Sequence, residues 1–367
     1  MKILVTGAEG FIGRNLCLRL EELGRHDIIK IDRSSTESEL KAAVTSADFI
    51  YHLAGVNRPI SDEEFGAGNH LLTQRIVDIL KECNLQTPIM LSSSIQATFN
   101  NSYGLSKAAA EDAVLNYANS NQAQHYIYRF PNVFGKWCRP NYNSFVATFC
   151  NNIASGLNVV INDTNAPVTL VYIDDVCSEL IDLIDGKESG YRTISIQYQT
   201  TVGEVANILH SFKDSRDNLT TPQVGTGLVR ALYSTYLSYL KPEQFGYSIP
   251  SYSDQRGTFC EMLKTKDSGQ FSFFTAHPGI TRGGHYHHSK NEKFLVIQGD
   301  ATFKFEHVVT GERYELKVSS GEHKVVETVP GWTHDITNTG TNELIVMLWA
   351  NEIFDKNAPD TIARSLA

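Results

Sequence analysis

The stretch KILVTGAEGFIGRNL (2–16) begins with an apolar run, continues through a glycine-rich turn and ends in the first turns of an amphipathic helix. ILVT (3–6) has the β-branched, apolar composition of a buried strand. Gly7, Gly10 and Gly13 follow with the spacing GxxGxxG. This spacing permits a tight turn and lets a pyrophosphate approach the backbone amides at a helix N-terminus. The stretch predicts a dinucleotide-binding turn, and the alternative is a plain strand-to-helix turn.

The alternation of strand and helix continues through the first part of the chain. Further strands are predicted at 27–32, 47–55, 87–93 and 125–130. These runs are separated by segments of helical character, and buried strands interleaved with helices form a parallel sheet covered on both faces. We therefore predict an α/β, Rossmann-type, doubly wound fold.

The pattern changes from about Ser251. Short strand-like runs such as EKFLVIQ (292–298) and ELIVMLW (343–349) are separated by Gly, Asp and Asn. Short strands at regular spacing predict an antiparallel barrel or sandwich. We place the domain boundary so that one domain covers 1–245 and a second, all-β domain covers 251–367.

Composition narrows the class of protein. The chain has 367 residues, 41% of them hydrophobic and 20% charged, and a formal net charge of -9. This charge gives no reason to expect nucleic-acid binding, and no apolar run is long enough to predict a membrane span. The six cysteines contain no CxxC pair and suit free thiols. Because the first strand starts at once, without a charged leader, we expect a cytoplasmic protein without a signal peptide.

Asp32 and Arg33 end the second predicted strand. An acidic residue about 20 positions after the glycines accepts the adenine ribose hydroxyls of NAD. Arg33 could instead neutralise the 2′-phosphate of NADP. These two residues leave the choice of cofactor open, and a solvated turn is the alternative for both.

YGLSK (103–107) places Tyr103 and Lys107 four residues apart, on one face of a predicted helix. The charge of Lys107 can lower the pKa of the phenol, and Tyr103 can then give a proton to the alkoxide formed when a hydride reaches a carbonyl. Ser94, at the end of the fourth strand, can hydrogen-bond the same oxygen. Alone, this pattern could be a solvated helix face. Behind a glycine-rich turn it predicts a hydride-transfer site.

Together these features resemble the extended short-chain dehydrogenase/reductase family, especially its sugar-nucleotide members. The resemblance covers roughly residues 1–240 and is carried by TGAEGFIG (6–13), HLAG (52–55), LSSS (91–94), YGLSK (103–107), RFPNVFG (129–135) and VYIDDV (171–176). It implies that Ser94, Tyr103 and Lys107 are catalytic and that Asn132 contacts the substrate. It also implies a cofactor site made of Gly7, Gly10, Phe11, Ile12, Gly13, Asp32, Arg33, Leu53, Ala54, Gly55, Tyr103 and Lys107. Ser94 and Tyr103 are closer in sequence than is usual in the family, so the loop over the sugar is expected to be short.

The second half contains a set of potential metal ligands. His285 and His287 alternate along a predicted strand and point to the same side. Glu292 begins the next apolar run, and His334 precedes another strand. Three imidazoles and a carboxylate suit zinc or another divalent metal. His288 is interpreted as a surface histidine.

The spacing of these residues resembles the two motifs of the cupin family, which implies a cupin (double-stranded β-helix) domain. DQRG (254–257) and ITRGGH (280–285) also resemble the sugar-nucleotide 3,5-epimerases of the dTDP-rhamnose pathway. That resemblance implies that Arg256 and Arg282 bind the substrate diphosphate and that His285 is a catalytic base. A histidine whose lone pair binds a metal cannot also take a proton with it. We favour the metal site because all four ligands are present, and either a catalytic or a structural metal fits the sequence.

A closer resemblance is carried by LSSSIQAT (91–98), FGKWCRPNYNS (134–144), LYSTYLSYL (232–240) and SKNEKFLV (289–296). Over nearly its full length the chain is similar to bifunctional capsular-polysaccharide enzymes that join the same two modules and use NADPH. This implies a UDP-linked 4-keto-6-deoxy amino sugar as substrate, C3 epimerisation in the cupin and C4 reduction in the Rossmann domain. The implied product is UDP-2-acetamido-2,6-dideoxy-L-talose, and a homodimer is expected. Two alternatives stay open: a reductase whose cupin is only a metal-stapled dimerisation module, and a non-catalytic nucleotide-sugar sensor.

Overall fold

The computed structural model describes residues 1–59, 61–254, 257–260, 263, 269–352 and 357–366. They fall into two compact units that interleave along the chain. The first unit comprises Met1–Phe134, Asn141–Ser144 and Val168–Gln199, and the second comprises Gly135–Pro140, Phe145–Pro167 and Thr200–Ala367.

The helices of the described residues follow in chain order. They are α1 (Phe11–Glu22), α2 (Glu37–Ser46), α3 (Glu63–Phe65), α4 (Leu72–Glu82), α5 (Ser102–Asn121), α6 (Phe145–Ala154), α7 (Ile173–Ile181), α8 (Val202–Asn218) and α9 (Gly227–Leu237). A π-helix, Gly66–Leu71, joins α3 to α4. None of the helices in the part of the chain that the structure describes combines the length and apolar character needed to cross a bilayer.

The first unit is built on a parallel sheet. Its strands are β1 (Lys2–Thr6), β2 (Asp27–Ile31), β3 (Phe49–His52), β4 (Ile89–Ser94), β5 (His125–Phe130) and, after β6 (Asn132–Phe134) and β7 (Pro167–Tyr172), β8 (Gly190–Arg192). The order across the sheet is β2-β1-β3-β4-β5-β8, and β6, β7 and β9 (Tyr198–Thr201) form a small separate sheet.

The sheet order changes direction at β1, whose neighbours are β2 and β3. In open parallel sheets, ligands bind outside the carboxyl ends of the strands at such a switch point. The register pairs Thr6 with His52 at this edge. His52 is fully buried between Thr6 Oγ1 at 2.7 Å and Thr73 Oγ1 at 2.8 Å, and burial lowers the pKa of its imidazole to about 3. A neutral histidine therefore ties the two strand ends to α4.

The second unit is built mainly from antiparallel strands. They are β10 (Gly246–Ser248), β11 (Ser251–Asp254), β12 (Gly257–Cys260), β13 (Gln270–Ala276), β14 (Thr281–Tyr286), β15 (Glu292–Gln298), β16 (Asp300–His307), β17 (Arg313–Ser319), β18 (Lys324–Glu327), β19 (Trp332–Asn338), β20 (Leu344–Ala350) and β21 (Ile362–Ala363). One sheet has the order β10-β18-β15-β20-β13 and the other β17-β16-β19-β14-β21. Phe294 of the first sheet packs on Phe303 of the second, with 5.7 Å between ring centroids, so the two sheets enclose a core. The predicted Rossmann-type fold followed by an all-β cupin domain is confirmed.

Helices α6, α8 and α9 belong to the second unit. Ser234 of α9 donates to the Ser289 carbonyl at 2.7 Å, and Arg216 of α8 donates to the Gln244 carbonyl at 2.6 Å. Arg216 and Lys293 both pair with Glu327, which is buried in β18. The sequence boundary between 245 and 251 stays a prediction, because these units are defined by packing and are not continuous along the chain.

Candidate active site and metal centre

The glycine-rich turn lies at the carboxyl ends of β1 and β3. Gly7 has a φ of +68°, and a Cβ there would come within 2.7 Å of the Ala54 nitrogen. A Cβ on Gly13 would come within 2.2 Å of the Gly7 oxygen. Larger residues are therefore excluded at both positions by neighbouring backbone. The turn leads into α1 at Phe11, so the first amides of this helix face the switch point, as a pyrophosphate site requires.

The predicted cofactor residues after β3 lie against the same turn. The Leu53 nitrogen donates to the Thr6 carbonyl at 3.2 Å, and Ala54 packs on Gly7. A Cβ on Gly55 would come within 3.0 Å of Lys107 Nζ. The structure thus brings the loops after β1 and β3 together with the lysine of α5.

Asp32 directly follows β2, and it is exposed, as is Arg33. Oδ1 of Asp32 accepts hydrogen bonds from the backbone nitrogen and the hydroxyl of Ser34, both at 2.7 Å. These hydrogen bonds from Ser34 lower the pKa of the Asp32 carboxyl. Ser34 was not predicted as a site residue. Its hydrogen bonds engage Oδ1 of Asp32, the carboxylate that was expected to accept ribose hydroxyls.

Ser94, Tyr103 and Lys107 come together between the end of β4 and the start of α5. Lys107 Nζ donates to the Ser92 carbonyl at 3.0 Å and lies 5.9 Å from the centre of the Tyr103 ring. Tyr103 Oη donates to Asn57 Oδ1 at 2.9 Å. Burial raises the pKa of Tyr103, and its hydrogen bond with Ser94 partly offsets this effect. The phenol is therefore protonated at neutral pH, the form that can donate a proton.

Lys107 is 6% exposed, and burial lowers the pKa of its ammonium group to about 8. The charge of Glu111 opposes that shift. Glu111 itself is buried and paired with Arg129 at 2.6 Å, and it accepts a hydrogen bond from Tyr191 at 3.0 Å. On α5, Glu111 follows Lys107 by four residues, just as Lys107 follows Tyr103. This spacing could have predicted that Glu111 lies near Lys107, but Glu111 was not among the predicted site residues.

Asn69 is a second missed residue, and it lies in the π-helix. Its Oδ1 accepts from the Val56 nitrogen at 2.8 Å, and its Nδ2 donates to Ser106 Oγ at 3.0 Å. Asn69 therefore ties the loop after β3 to α5. Single π-turns inside helices are frequent at functional sites, but a sequence gives little warning of them.

Asn132 lies exposed at the start of β6, where its Nδ2 donates to the Thr169 carbonyl at 3.3 Å. Arg282 lies exposed on β14, with its guanidinium 5.1 Å from the centre of the Phe274 ring. Arg256 lies outside the described residues. The substrate-binding roles of these three residues stay predictions.

The four predicted metal ligands converge in the second unit. One ligand atom from each of His285, His287, Glu292 and His334 lies within 4.8 Å of the others. Oε2 of Glu292 is 3.3 Å from His287 Nε2 and 3.5 Å from His334 Nε2. Ligands about 2.0–2.2 Å from a tetrahedral metal are about 3.4 Å apart, so this spacing suits such an ion.

The local electrostatics also fit a divalent metal. Burial lowers the pKa of His285 to about 4, so its imidazole is neutral and has a free lone pair. Burial alone would raise the pKa of Glu292, but its contacts with His287 and His334 hold it well below its usual value. Burial also lowers the pKa of the His334 imidazole. A ligand set of neutral imidazoles and an ionised carboxylate is what zinc binds.

Two further residues at this centre were not predicted as part of it. Lys290 Nζ lies 2.8 Å from Glu292 Oε1. Asp360 accepts a hydrogen bond from the backbone nitrogen of His288 at 2.8 Å. His288 is only 5% exposed, so its interpretation as a surface histidine is wrong. The turn after His287 is buried because the chain at Asp360 covers it.

Comparisons with known proteins match a different family in each half of the chain. Residues 3–196 match the NAD dependent epimerase/dehydratase family, and residues 252–362 match the Polysaccharide biosynthesis C-terminal domain. A UDP-2-acetamido-2,6-beta-L-arabino-hexul-4-ose reductase of Pseudomonas aeruginosa is 55% identical over 368 residues, which cover 100% of this chain and 99% of that protein.

Two solved structures are also similar to this chain. The capsular polysaccharide assembling protein CapF from Staphylococcus aureus is 44% identical, with a TM-score of 0.69 and 100% of both chains covered. A UDP-glucuronic acid 4-epimerase from Bacillus cereus in complex with NAD is 19% identical, covers 57% of this chain and 83% of its own, and has a TM-score of 0.53. That likeness shows the fold alone. With its glycine turn, its Ser-Tyr-Lys site and a match over more than half its length, the chain belongs to the NAD dependent epimerase/dehydratase family.

Proposed function

We propose that the chain is a bifunctional enzyme acting on a UDP-linked 4-keto-2-acetamido-2,6-dideoxyhexose. The cupin domain epimerises C3, and the Rossmann domain reduces C4 with NADPH, giving UDP-2-acetamido-2,6-dideoxy-L-talose. The observation that carries this proposal is the pairing of two chemical sites on one chain. One is the Ser94, Tyr103 and Lys107 group, and the other is the four-ligand cluster around Glu292.

The first site has the groups that carbonyl reduction requires. A bound nicotinamide cofactor supplies the hydride. Tyr103, whose phenol is protonated at neutral pH, donates a proton to the oxygen that gains negative charge, and Ser94 hydrogen-bonds the same oxygen. Lys107 places a positive charge beneath the phenol and stabilises the tyrosinate left behind.

We propose NADPH as the cofactor. Ser34 hydrogen-bonds Oδ1 of Asp32, which reduces the capacity of this carboxylate to accept ribose hydroxyls. Arg33, exposed beside it, can pair with a 2′-phosphate. The resemblance to NADPH-dependent capsular enzymes supports the same choice. A comparison of KM for NADPH and NADH, repeated with Arg33→Ala, tests the assignment, and we expect the variant to lose the preference.

In the second site, His285, His287, Glu292 and His334 would hold a divalent metal, and zinc is the expected ion. A metal held there supplies Lewis acidity, which makes the hydrogen next to a ketone more acidic. His285 then serves as a ligand, so it is not the base that removes this hydrogen. Lys290 offsets the negative charge of Glu292 at the rim of the cluster.

The order of the two steps follows from the chemistry of the substrate. The C3 hydrogen is acidic only while C4 is a ketone, so epimerisation precedes reduction. Hydride addition at C4 then removes the ketone and fixes the configuration at C3. The name of the Pseudomonas aeruginosa relative specifies a UDP-linked hexul-4-ose as the compound that is reduced, which supports the second step.

A second candidate function is C4 reduction alone, with the cupin as a metal-stapled structural and dimerisation module. The name of the Pseudomonas aeruginosa relative, which specifies reduction only, favours this candidate. A homodimer and a cytoplasmic location stay predictions from the family resemblance, and light scattering of the purified chain tests the first.

The experiment that separates the candidates is incubation with the 4-keto UDP-sugar in deuterated water, with and without NADPH, followed by NMR. The bifunctional proposal expects deuterium at C3 without NADPH and a reduced C4 with it. The control is the same substrate without protein. Reduction without enzyme-dependent exchange at C3 would leave only the reductase. The absence of both reactions would overturn the proposal.

A further inference from the structure

The segment 357–366 lies against the strand that carries His285. Within it, β21 pairs with β14 so that Ala363 lies opposite His285 and Ile362 opposite Tyr286. The Arg364 nitrogen donates to the Gly284 carbonyl at 2.8 Å. This pairing supports the irregular end of β14, where the register with β19 shifts between Gly283 and His285.

The side chain of Asp360 holds the turn between two ligands. Its Oδ1 accepts from the His288 nitrogen at 2.8 Å, and its Oδ2 accepts from the nitrogens of Ser289 and Lys290, both at 2.7 Å. Each of these is a hydrogen bond to an ionised group, the stronger kind in proteins. The turn they hold leads from His287 directly to Glu292, so Asp360 fixes the direction in which the chain returns to the cluster.

The backbone of Asp360 acts on His287 itself. Its carbonyl oxygen is hydrogen-bonded to His287 Nδ1. A carbonyl only accepts, so Nδ1 carries the hydrogen and the lone pair is left on Nε2. Nε2 is the atom that faces Glu292 Oε2, at 3.3 Å. The contact therefore selects the tautomer that can bind a metal from inside the cluster.

We infer that Asp360 is a positioning residue of the metal centre: it orients His287, selects its tautomer and fixes the turn that carries Glu292. This inference rests on the proposed metal-binding role of the cluster. Asp360 lies far in sequence from the four ligands, and it contacts His287 and the backbone between His287 and Glu292 without being a ligand itself.

The test measures zinc affinity directly, by titrating the metal-free full-length chain against a chromogenic chelator. We expect Asp360→Ala to weaken zinc binding about 10–100-fold, the usual effect of losing an outer-shell partner. Asp360→Asn keeps part of the hydrogen bonding but places an amide donor against a backbone donor, so its loss is smaller. Asp300→Asn, at an exposed aspartate of β16, is the matched control and should bind zinc like the wild type.

A folded Asp360→Ala chain with wild-type zinc affinity would overturn the role of the Asp360 side chain in fixing the turn, and it would leave the metal centre intact. A wild-type chain that does not bind zinc would instead overturn the metal centre. If Asp360→Ala does not fold, the metal-free wild type with ¹⁵N-labelled histidine still gives an answer by NMR. We expect hydrogen on Nδ1 of His287, assigned by comparison with His287→Gln. Hydrogen on Nε2 would refute the inference.

Discussion

Two buried lysines, one in each unit, have opposite pKa shifts. Lys107 on α5 donates to the Ser92 carbonyl, and burial lowers the pKa of its ammonium group to about 8. Lys293 on β15 is more deeply buried, and burial alone would lower its pKa too. Its contact with the Glu327 carboxylate reverses the shift, and its pKa is raised.

The difference shows what a buried charge is used for in each unit. Glu327 is shared by Lys293 and Arg216, which join β15 and β18 to α8. In the first unit, the nearby carboxylate of Glu111 is bound to Arg129, so it acts on Lys107 only through its charge. Lys293 is fixed by an ion pair, whereas Lys107, in the proposed reductase site, has no carboxylate contact and remains available to Tyr103 and to a ligand.

The largest expected effect tests the reductase site. Tyr103→Phe removes the proton donor, so we expect C4 reduction to fall about 10²–10⁴-fold. Because C3 exchange is assigned to the other domain, deuterium incorporation at C3 should persist. Single-turnover NADPH oxidation and NMR measure the two reactions. Loss of both in a folded variant would refute the separation of the sites.

The next largest effect is expected in the free energy of unfolding. Denaturant unfolding of matched variants compares the two lysines directly. Lys293→Met leaves Glu327 with one cationic partner, and we expect a loss of about 3 kcal/mol, at the lower end for breaking a buried pair. Lys107→Met removes a buried charge that has no carboxylate contact. Its stability should be unchanged or higher, while its reductase activity falls. Equal stability losses in the two variants would contradict the contrast drawn between the lysines.

A smaller effect in free energy concerns the metal centre. His334→Ala removes one of the four ligands. The expected fall in zinc affinity is larger than that of Asp360→Ala, which removes an outer-shell partner and should cost about 10–100-fold. Elemental analysis after dialysis measures metal content. His277→Ala, at an exposed histidine outside the cluster, is the control. Unchanged metal content in His334→Ala would remove His334 from the ligand set.

The smallest effect is a change in pH dependence. Lys107 acts as a cation and has a pKa of about 8, so reduction should decline as the pH rises through about 8. The Glu111 charge raises this pKa, so Glu111→Gln should move the alkaline decline to lower pH. The pH profile of kcat/KM for C4 reduction measures the shift. A shift to higher pH would contradict the role given to Glu111.

The features that the sequence alone established are local ones. The turn after β1 depends on glycines because backbone packs where a Cβ would be, and the pairing of Tyr103 with Lys107 follows from helical spacing. The convergence of His285, His287, Glu292 and His334 was predicted because each belongs to a motif whose spacing is readable within a short window. In each case the motif lies within a few residues, although Gly7 packs against Ala54 and His334 joins the cluster from a distant part of the sequence.

The tertiary structure supplied everything that depends on distant partners. Asp360 meets the turn after His287 across a long stretch of chain, Glu327 joins charges from a helix and a strand, and His288 is buried by a segment that follows it much later. No local pattern marks these residues, because a lone Asp, Glu or His has the same sequence signature on a surface and in a core. Their partners are brought close only by the packing of the strands and helices around them.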